Sequence, residues 1–489
     1  MKGFDCPPKG CCPACGTLPM VFRGLMLVAA LMLLLAHGSA AIPMNQWTSI
    51  RANAALPIPR YAMAMETIGS EVFLFGGRSN PRVILGDFWW YHLATNVWTN
   101  LTLAVNQLPP ARMMSSLSVI NGSTAVLFGG YGTSPMSQDD DDDVNGLASL
   151  LSDVWLLSLQ FPQVSGSVSV LATWTQVIPI PSSPSPTPRF AHVAAILQSL
   201  LVVFGGVQSI DNPDELVDIQ LAEQSIGNVV LGDLWAFNFT LGSWSLLQNT
   251  TNTSYTPGNQ APGPRMGALS CPLSPNAFLV ASGLLSTDDI VQDTWVLSLT
   301  AAGVISWTPL PFAAGASPAV AQGSLACSAT SDGLSVHGLQ FGGLTTTSVA
   351  STTLVSWNLL VPDVTDFTTI TWTLATSTQE WPTLVVSPYP KRDSGLVAVA
   401  QPGQLPVFLL FGGMYTYATN ELWISQGGMV WTSFFTLDTP ALARFGASTV
   451  GNVLVVPGAD PGNTLRPLLT WMCDMVARTW TQVGWGGGM

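Results

Sequence analysis

Charge is what this 489-residue chain has least of: only 9% of its residues are Asp, Glu, Lys or Arg, against about 25% in an average soluble domain. That scarcity excludes a fold built on long solvent-facing helices, which need Glu and Lys on their outer faces. The formal charge is −13, and a basic face for nucleic-acid phosphates is therefore missing. Long apolar runs are also missing beyond one at residues 24–36, GLMLVAALMLLLA, which is short for a membrane span. Histidine occurs four times and cysteine seven times, an odd number that defines no disulfide framework. No Gly-x-Ser-x-Gly, His-Glu-x-x-His or phosphate-loop motif is present.

Glycine (45), proline (36) and tryptophan (18) are abundant instead. This profile suits many short strands joined by tight turns. The 24–36 run follows Arg23 and precedes Gly38, Ser39, Ala40 and Ala41, the pattern of a cleavable signal peptide. Residues 1–41 are accordingly read as an N-terminal extension plus signal peptide, with Met20 as a second candidate start. The rival reading is a type II signal anchor, in which case the chain stays at a membrane. Cleavage removes three of 15 basic and one of 28 acidic residues and leaves a charge of −15. It also removes Cys6, Cys11, Cys12 and Cys15. Of the remaining Cys271, Cys327 and Cys473, the first two fall at matching points of neighbouring repeats; a bridge between them is open, and two buried thiols are the expectation. Asn100, Asn121, Asn238, Asn249 and Asn252 stand in Asn-x-Ser/Thr sequons, expected glycan acceptors in a secreted chain.

An internal repeat organises the rest. An apolar run ends in Phe-Gly-Gly at Gly76–Gly77, Gly129–Gly130, Gly205–Gly206, Gly342–Gly343 and Gly412–Gly413, with degenerate forms at Ala281-Ser282-Gly283 and Val456-Pro457-Gly458. Upstream stands an arginine: Arg60, Arg112, Arg189, Arg265, Arg392 and Arg444. Downstream comes an acidic residue two before a Trp, as in Asp87-Phe-Trp89, Asp153-Val-Trp155, Asp233-Leu-Trp235, Asp293-Thr-Trp295 and Glu421-Leu-Trp423. A second Trp closes each unit: Trp98, Trp174, Trp244, Trp307, Trp372, Trp431 and Trp480.

From about Gln46 to Gly484 this pattern resembles kelch repeats. The resemblance implies an all-β, kelch-type β-propeller over residues 42–489, of seven four-stranded blades with six as the alternative. The repeats run approximately over 58–98, 110–174, 187–244, 263–307, 319–372, 390–431 and 443–480. Each unit is a meander whose apolar faces are buried only by stacking on neighbours. The diglycines are expected where the second strand passes close to the next blade, the closing tryptophans in the wedge between blades, and the acidic residues at a turn or paired with a neighbouring blade. Repeat five lacks the Pro-Arg entry and has Thr353-Leu354-Val355 for the acidic-x-Trp triplet. Repeat four lacks the diglycine, and both blades are expected to be irregular. Gln46-Trp47-Thr48 reads as a spare outer strand, so either it or the Trp480 segment closes the ring.

Loops entering the first strand and loops joining the second and third emerge at one end of such a blade. The longest insertions, 130–153 and 206–233, lie there, as do the Pro/Ser-rich linkers 179–188, 255–264 and 381–390. Insertions gathered on one face point to a binding face. The six arginines start near it. As a ring they are candidate ligand-binding residues for an acidic protein or glycan, since guanidinium pairs bidentately with carboxylate or sulfate; the other reading has each bonded to loop carbonyls or an acidic neighbour. The Asp139–Asp143 run reads as a solvated acidic loop.

Secreted kelch chains include galactose-oxidase-like copper enzymes, but His92, His192 and His337 are the only histidines after residue 41 and supply no evident copper set. No metal site, cofactor or catalytic residue is assigned. The expected function is a non-catalytic extracellular recognition module for protein or glycan. The alternatives are a carbohydrate-active hydrolase, lyase or isomerase at the channel mouth, and a copper oxidase.

Overall fold

The computed structural model divides the chain into two units, 1–46 and 47–489. It describes most of residues 47–310 and, beyond them, chiefly strand segments as far as 484. The longer stretches outside the described residues are 1–46, 134–147, 209–228, 250–260, 311–323, 342–353, 361–370, 374–394, 412–421, 435–447 and 459–468. The signal-peptide reading, Arg392, Arg444, Asn252, Gly342, Gly343, Gly412 and Gly413 therefore lie outside them.

The described residues contain strands and turns but no helix. Each repeat forms an antiparallel meander in chain order. The first sheet is Ala64–Ile68, Glu71–Phe75, Phe88–His92 and Val97–Asn100. The third is Val193–Leu197, Leu200–Phe204, Leu234–Asn238 and Ser243–Gln248, and the fourth Leu269–Ser274, Ala277–Ala281, Thr294–Leu299 and Ile305–Pro309. The second, Ser116–Asn121, Thr124–Thr133, Ala148–Gln160 and Leu171–Val177, is longer. Its middle strands continue past the diglycine as a ribbon on which Arg112–Met113 also pairs. The fifth and sixth sheets, Ser324–Ala329 to Thr371–Thr373 and Gly395–Gln401 to Val430–Phe434, keep the same four-strand order, and the seventh runs Ser448–Val450, Val453–Gly458, Leu469–Asp474 and Thr479–Gly484.

Second strands such as EVFLF and AFLVA are buried along their whole length. Apart from Glu71 they read as unbroken apolar runs, because both faces are covered. The covering comes from neighbouring sheets. Trp174 of the second sheet packs on Phe75 of the first at 5.5 Å between ring centroids. Trp244 packs on Phe128 at 5.3 Å and Trp307 on Phe204 at 5.1 Å. Each of these three closing tryptophans thus sits on the Phe before the preceding repeat's diglycine, in the wedge expected of it. First strands meet in succession, from sheet one through sheet seven, and the first strand of sheet seven also meets that of sheet one. Val455 of the seventh sheet shares an apolar cluster with Val72, Tyr91 and Trp98 of the first.

The spare strand now has a place. Thr479–Gly484 is the fourth strand of the seventh sheet, and Trp47–Arg51 adds outside it as a parallel fifth, with Trp47 opposite Trp480. Repeat four is regular despite its missing diglycine. Ser282 takes the left-handed conformation at φ 56°, followed by Gly283 at 113°. The expectation of two buried thiols is overturned: Cys271 and Cys327 form a disulfide between the first strands of sheets four and five, with Cα atoms 6.0 Å apart. Both lie on axis-side strands of adjacent sheets, so stacking alone brings them within bridging distance.

Candidate functional site: the loop-bearing end

Four of the six repeat arginines are described, and they stand at the end of the sheets where the second strands finish and the third strands start. Arg60, Arg112, Arg189 and Arg265 are each at most 1% exposed. Every one makes the same contacts. Its Nε donates to the carbonyl two residues back, of Ile58, Pro110, Thr187 or Gly263. Its Nη1 donates to the carbonyl of Gly76, Gly129, Gly205 or Ser282. Both Nη atoms then fork onto the acidic residue of the same repeat. Arg112 reaches Asp153 at 2.7 and 2.7 Å, Arg189 reaches Asp233 at 2.6 and 2.8 Å, Arg265 reaches Asp293 at 2.5 and 2.8 Å, and Arg60 pairs likewise with Asp87. The Trp two residues on completes each site by donating its indole N–H to that carboxylate, at 2.6–2.7 Å.

This corrects two expectations. These four arginines bond to loop carbonyls and a carboxylate, and a guanidinium so enclosed has no face to offer a ligand. The acidic residue pairs within its own repeat, not with a neighbouring one. Burial raises the carboxyls of Asp87 and Asp233, but the hydrogen bonds and charge of Arg60 and Arg189, with the indole N–H groups, outweigh it and hold both below the ordinary carboxylate value.

The link between neighbouring sheets runs instead through the backbone of the same arginines. The Arg112 carbonyl accepts from Gly77 N–H at 2.8 Å and its N–H donates to Leu85 at 3.1 Å. Arg189 repeats this with Gly130 and Leu151, and Arg265 with Gly206 and Leu231. A Cβ on Gly76 would stand 2.5 Å from the Arg112 carbonyl oxygen, and one on Gly205 2.6 Å from that of Arg265. The diglycine is the clearance that lets the next repeat's arginine dock. Repeat five has no such arginine, and repeat four is where a serine replaces the first glycine.

Just inside this lock lies a feature that sequence reasoning missed. Two residues after each arginine the backbone is left-handed, at Ala62 (55°), Met114 (53°), Ala191 (51°) and Gly267 (57°). Met114 N–H donates to Ala62 and Gly267 N–H to Ala191, at 2.9 and 3.0 Å. Three of these residues carry a Cβ in a conformation that costs about 1–2 kcal/mol each. The signal was the small residue recurring there, in Arg-Tyr-Ala and Arg-Phe-Ala and as the glycine of Arg-Met-Gly. An apolar collar of Met113, Tyr131, Phe190, Val207, Met266 and Leu284 packs across sheets two to four around it.

Two polar clusters bear on catalysis. His192 Nε2 lies 2.9 Å from Ser116 Oγ, the spacing of a nucleophile and its base. Burial, with the charge of Arg189, drives that imidazole down to about 3, and no partner holds its Nδ1. At neutral pH it has little affinity for a serine proton. In the first sheet the Glu71 carboxylate accepts from Trp90 Nε1 at 2.9 Å and lies 2.9 Å from His92 Nδ1. Tyr91 and His92, adjacent on one strand, project to opposite faces. Among the described residues, no three His, Cys, Asp or Glu side chains gather as metal ligands.

The sheets define a propeller-like all-β chain, and its matches to known proteins are with kelch-repeat sequences over part of its length. The KLHDC2/KLHL20/DRC7 Kelch-repeats domain model matches residues 39–206. The F-box/kelch-repeat protein At1g51550 of Arabidopsis thaliana is 23% identical over 50% of this chain and 44% of its own length. The host cell factor homolog hcf-1 of Caenorhabditis elegans is 25% identical over 41% of this chain and 22% of its own. The matches thus span less than half of these relatives. The solved structure of YjhT aligns with 78% of this chain at 14% identity, with a TM-score of 0.45.

Proposed function

We propose that the chain is a secreted, non-catalytic recognition module: seven blades closed into one ring, docking a protein partner on the loop-bearing end. Kelch repeats support the recognition role in its general form. The count of seven is supported by the succession of first strands that returns from the seventh sheet to the first. Secretion is supported by the Cys271–Cys327 bridge, since disulfides persist in oxidising compartments, and by the signal-peptide pattern before residue 41. The observation that carries the docking face is that the two longest connections between second and third strands leave at Thr133 and Gln208 and return at Ala148 and Val229, on the end where the described arginines lock the sheets together. Rigid scaffolds put binding residues on such loops. With the four described arginines enclosed, the surplus of negative charge and the Asp139–Asp143 run favour a basic partner surface over an acidic ligand.

The test measures melting temperature of the secreted chain against basic and acidic proteins, sulfated and uronic-acid glycans, and neutral sugars. Variants with 134–147 or 209–228 replaced by short turns run in parallel. A saturable, salt-sensitive shift with a basic protein, lost in the shortened variants, is the expected result. A shift with glycans alone would replace protein by carbohydrate as the ligand, and turnover of any sugar would remove the non-catalytic reading.

A further inference from the structure

Four of the five sequons fall on described residues, and their positions are not scattered. Asn100 ends the outermost strand of sheet one and Asn249 follows that of sheet three, both at the rim of the loop-bearing end. Asn121 and Asn238 are at the opposite end. Asn121 lies in the turn between the first and second strands of sheet two, opposite Thr124. Asn238 closes the third strand of sheet three and pairs with Leu200, beside that sheet's own first turn.

The local geometry suits modification. Asn121 Oδ1 accepts from Ser123 N–H at 2.9 Å and from its hydroxyl at 3.1 Å. Asn238 Oδ1 accepts from the N–H groups of Thr240 and Leu241 at 2.9 and 3.0 Å. Asn100 does the same with Thr102 at 2.8 Å. In each, the amide oxygen accepts from the hydroxyl residue's own backbone N–H, and Asn100 and Asn121 are exposed while Asn238 is half-buried. Asn121 is exposed, and its turn abuts that of sheet one, where a Cβ on Gly69 would stand 2.9 Å from the Gly122 carbonyl. It is therefore an axis-side position. The turns of sheets three and four also abut, through Gln198 N–H to Pro275 at 2.8 Å.

We infer that Asn121 and Asn238 carry N-linked glycans, and that these close the turn end of sheets two and three to macromolecular partners. A glycan is bulky and solvated, and one on an inner turn beside one on an outer turn covers both parts of that end. The two rim sequons stand on outermost strands, away from the axis, and leave the collar end open. On sheets two and three, docking is thereby confined to the loop-bearing end. The inference rests on the secretory reading, because acceptor asparagines are modified only in that pathway.

The full chain is expressed with its own N-terminus in a eukaryotic secretory cell, and tryptic peptides are analysed by mass before and after glycosidase. Recovery in the medium with Asn121 and Asn238 both occupied is expected. Shielding is read from Ser199→Cys at the turn end and Val83→Cys at the loop end, each labelled with a polymer-bearing maleimide. Ser199→Cys should label several-fold faster in the Asn121→Gln/Asn238→Gln background than with both asparagines intact, while Val83→Cys labels equally in both. A secreted chain with bare Asn121 and Asn238 overturns the inference and leaves the secretory reading standing. Occupied asparagines with equal Ser199→Cys labelling overturn the shielding. A cytosolic, unmodified chain removes the reading and the inference together.

Discussion

At the residue scale, the repeat is held by positions where one atom more or one charge less has no room to be absorbed. Gly76 and Gly242 have nearly the same backbone, at φ 64° and 63°, but different surroundings. A Cβ on Gly76 meets the Arg112 carbonyl, whereas one on Gly242 meets nothing within 4 Å. Gly242→Ala should cost about 1 kcal/mol, the left-handed penalty alone. Gly76→Ala should cost about 3 kcal/mol or more, because the next sheet must also move. Denaturant unfolding of both variants checks the difference. Glu66, on the first strand of sheet one, is pushed up to about 7 by burial, moderated by the Thr67 N–H. Between its ordinary 4.5 and 7 the unfolded chain has released a proton that the folded chain keeps, so this group's contribution to stability falls as pH rises through that window. Glu66→Gln should melt level with the parent chain near about pH 4 and above it near about pH 8.

At the element scale, each sheet supplies half of the wall its neighbour needs. In repeats two to four the closing Trp covers the Phe before the diglycine of the repeat before it, so any one of these meanders alone exposes an apolar face. Repeat five has no entry arginine and repeat four has Ser282 in place of the first glycine, and these two sheets are the pair joined by Cys271–Cys327. The bridge spans 56 residues, for which the chain-entropy model gives about 4 kcal/mol. Cys271→Ala/Cys327→Ala should lower stability by roughly that amount while leaving the circular-dichroism spectrum of strands unchanged, and reduction of the parent chain should do the same. The cysteine count argued against this bond because parity says nothing about which residues face one another. The stacking of first strands brought the two together.

At the scale of the whole molecule, the first and last described strands meet in one sheet. Thr479–Gly484 completes the seventh meander from within, and Trp47–Arg51 fastens onto it from outside as the sheet's single parallel pairing. Removing residues 47–51 should leave a folded protein with a modestly lower melting temperature, since the sheet keeps four strands. Removing residues from 479 onward should abolish cooperative unfolding, because it strips the third strand of its partner and uncovers the seam toward the first sheet. A parallel result for the two truncations would reverse the roles assigned to these strands.

The sequence by itself determined the repeat, its four-strand grammar and the identity of the wedge tryptophans. These are local patterns, and each recurs often enough for its physical requirement to be read from the others. It also placed the insertions at one end, because strand order alone decides where loops emerge. Tertiary structure decided what the arginines do. Fork geometry suits a ligand and a buried aspartate equally, and only the folding of the Arg-x and Asp-x-Trp segments onto one another shows that the partner is internal. It decided, too, that the carboxylate serves its own repeat while the backbone joins the sheets, that Cys271 meets Cys327, and that the N-terminal strand lies outside the C-terminal one. Each of these depends on a contact between residues far apart in the chain, where spacing carries no information until neighbouring sheets are stacked.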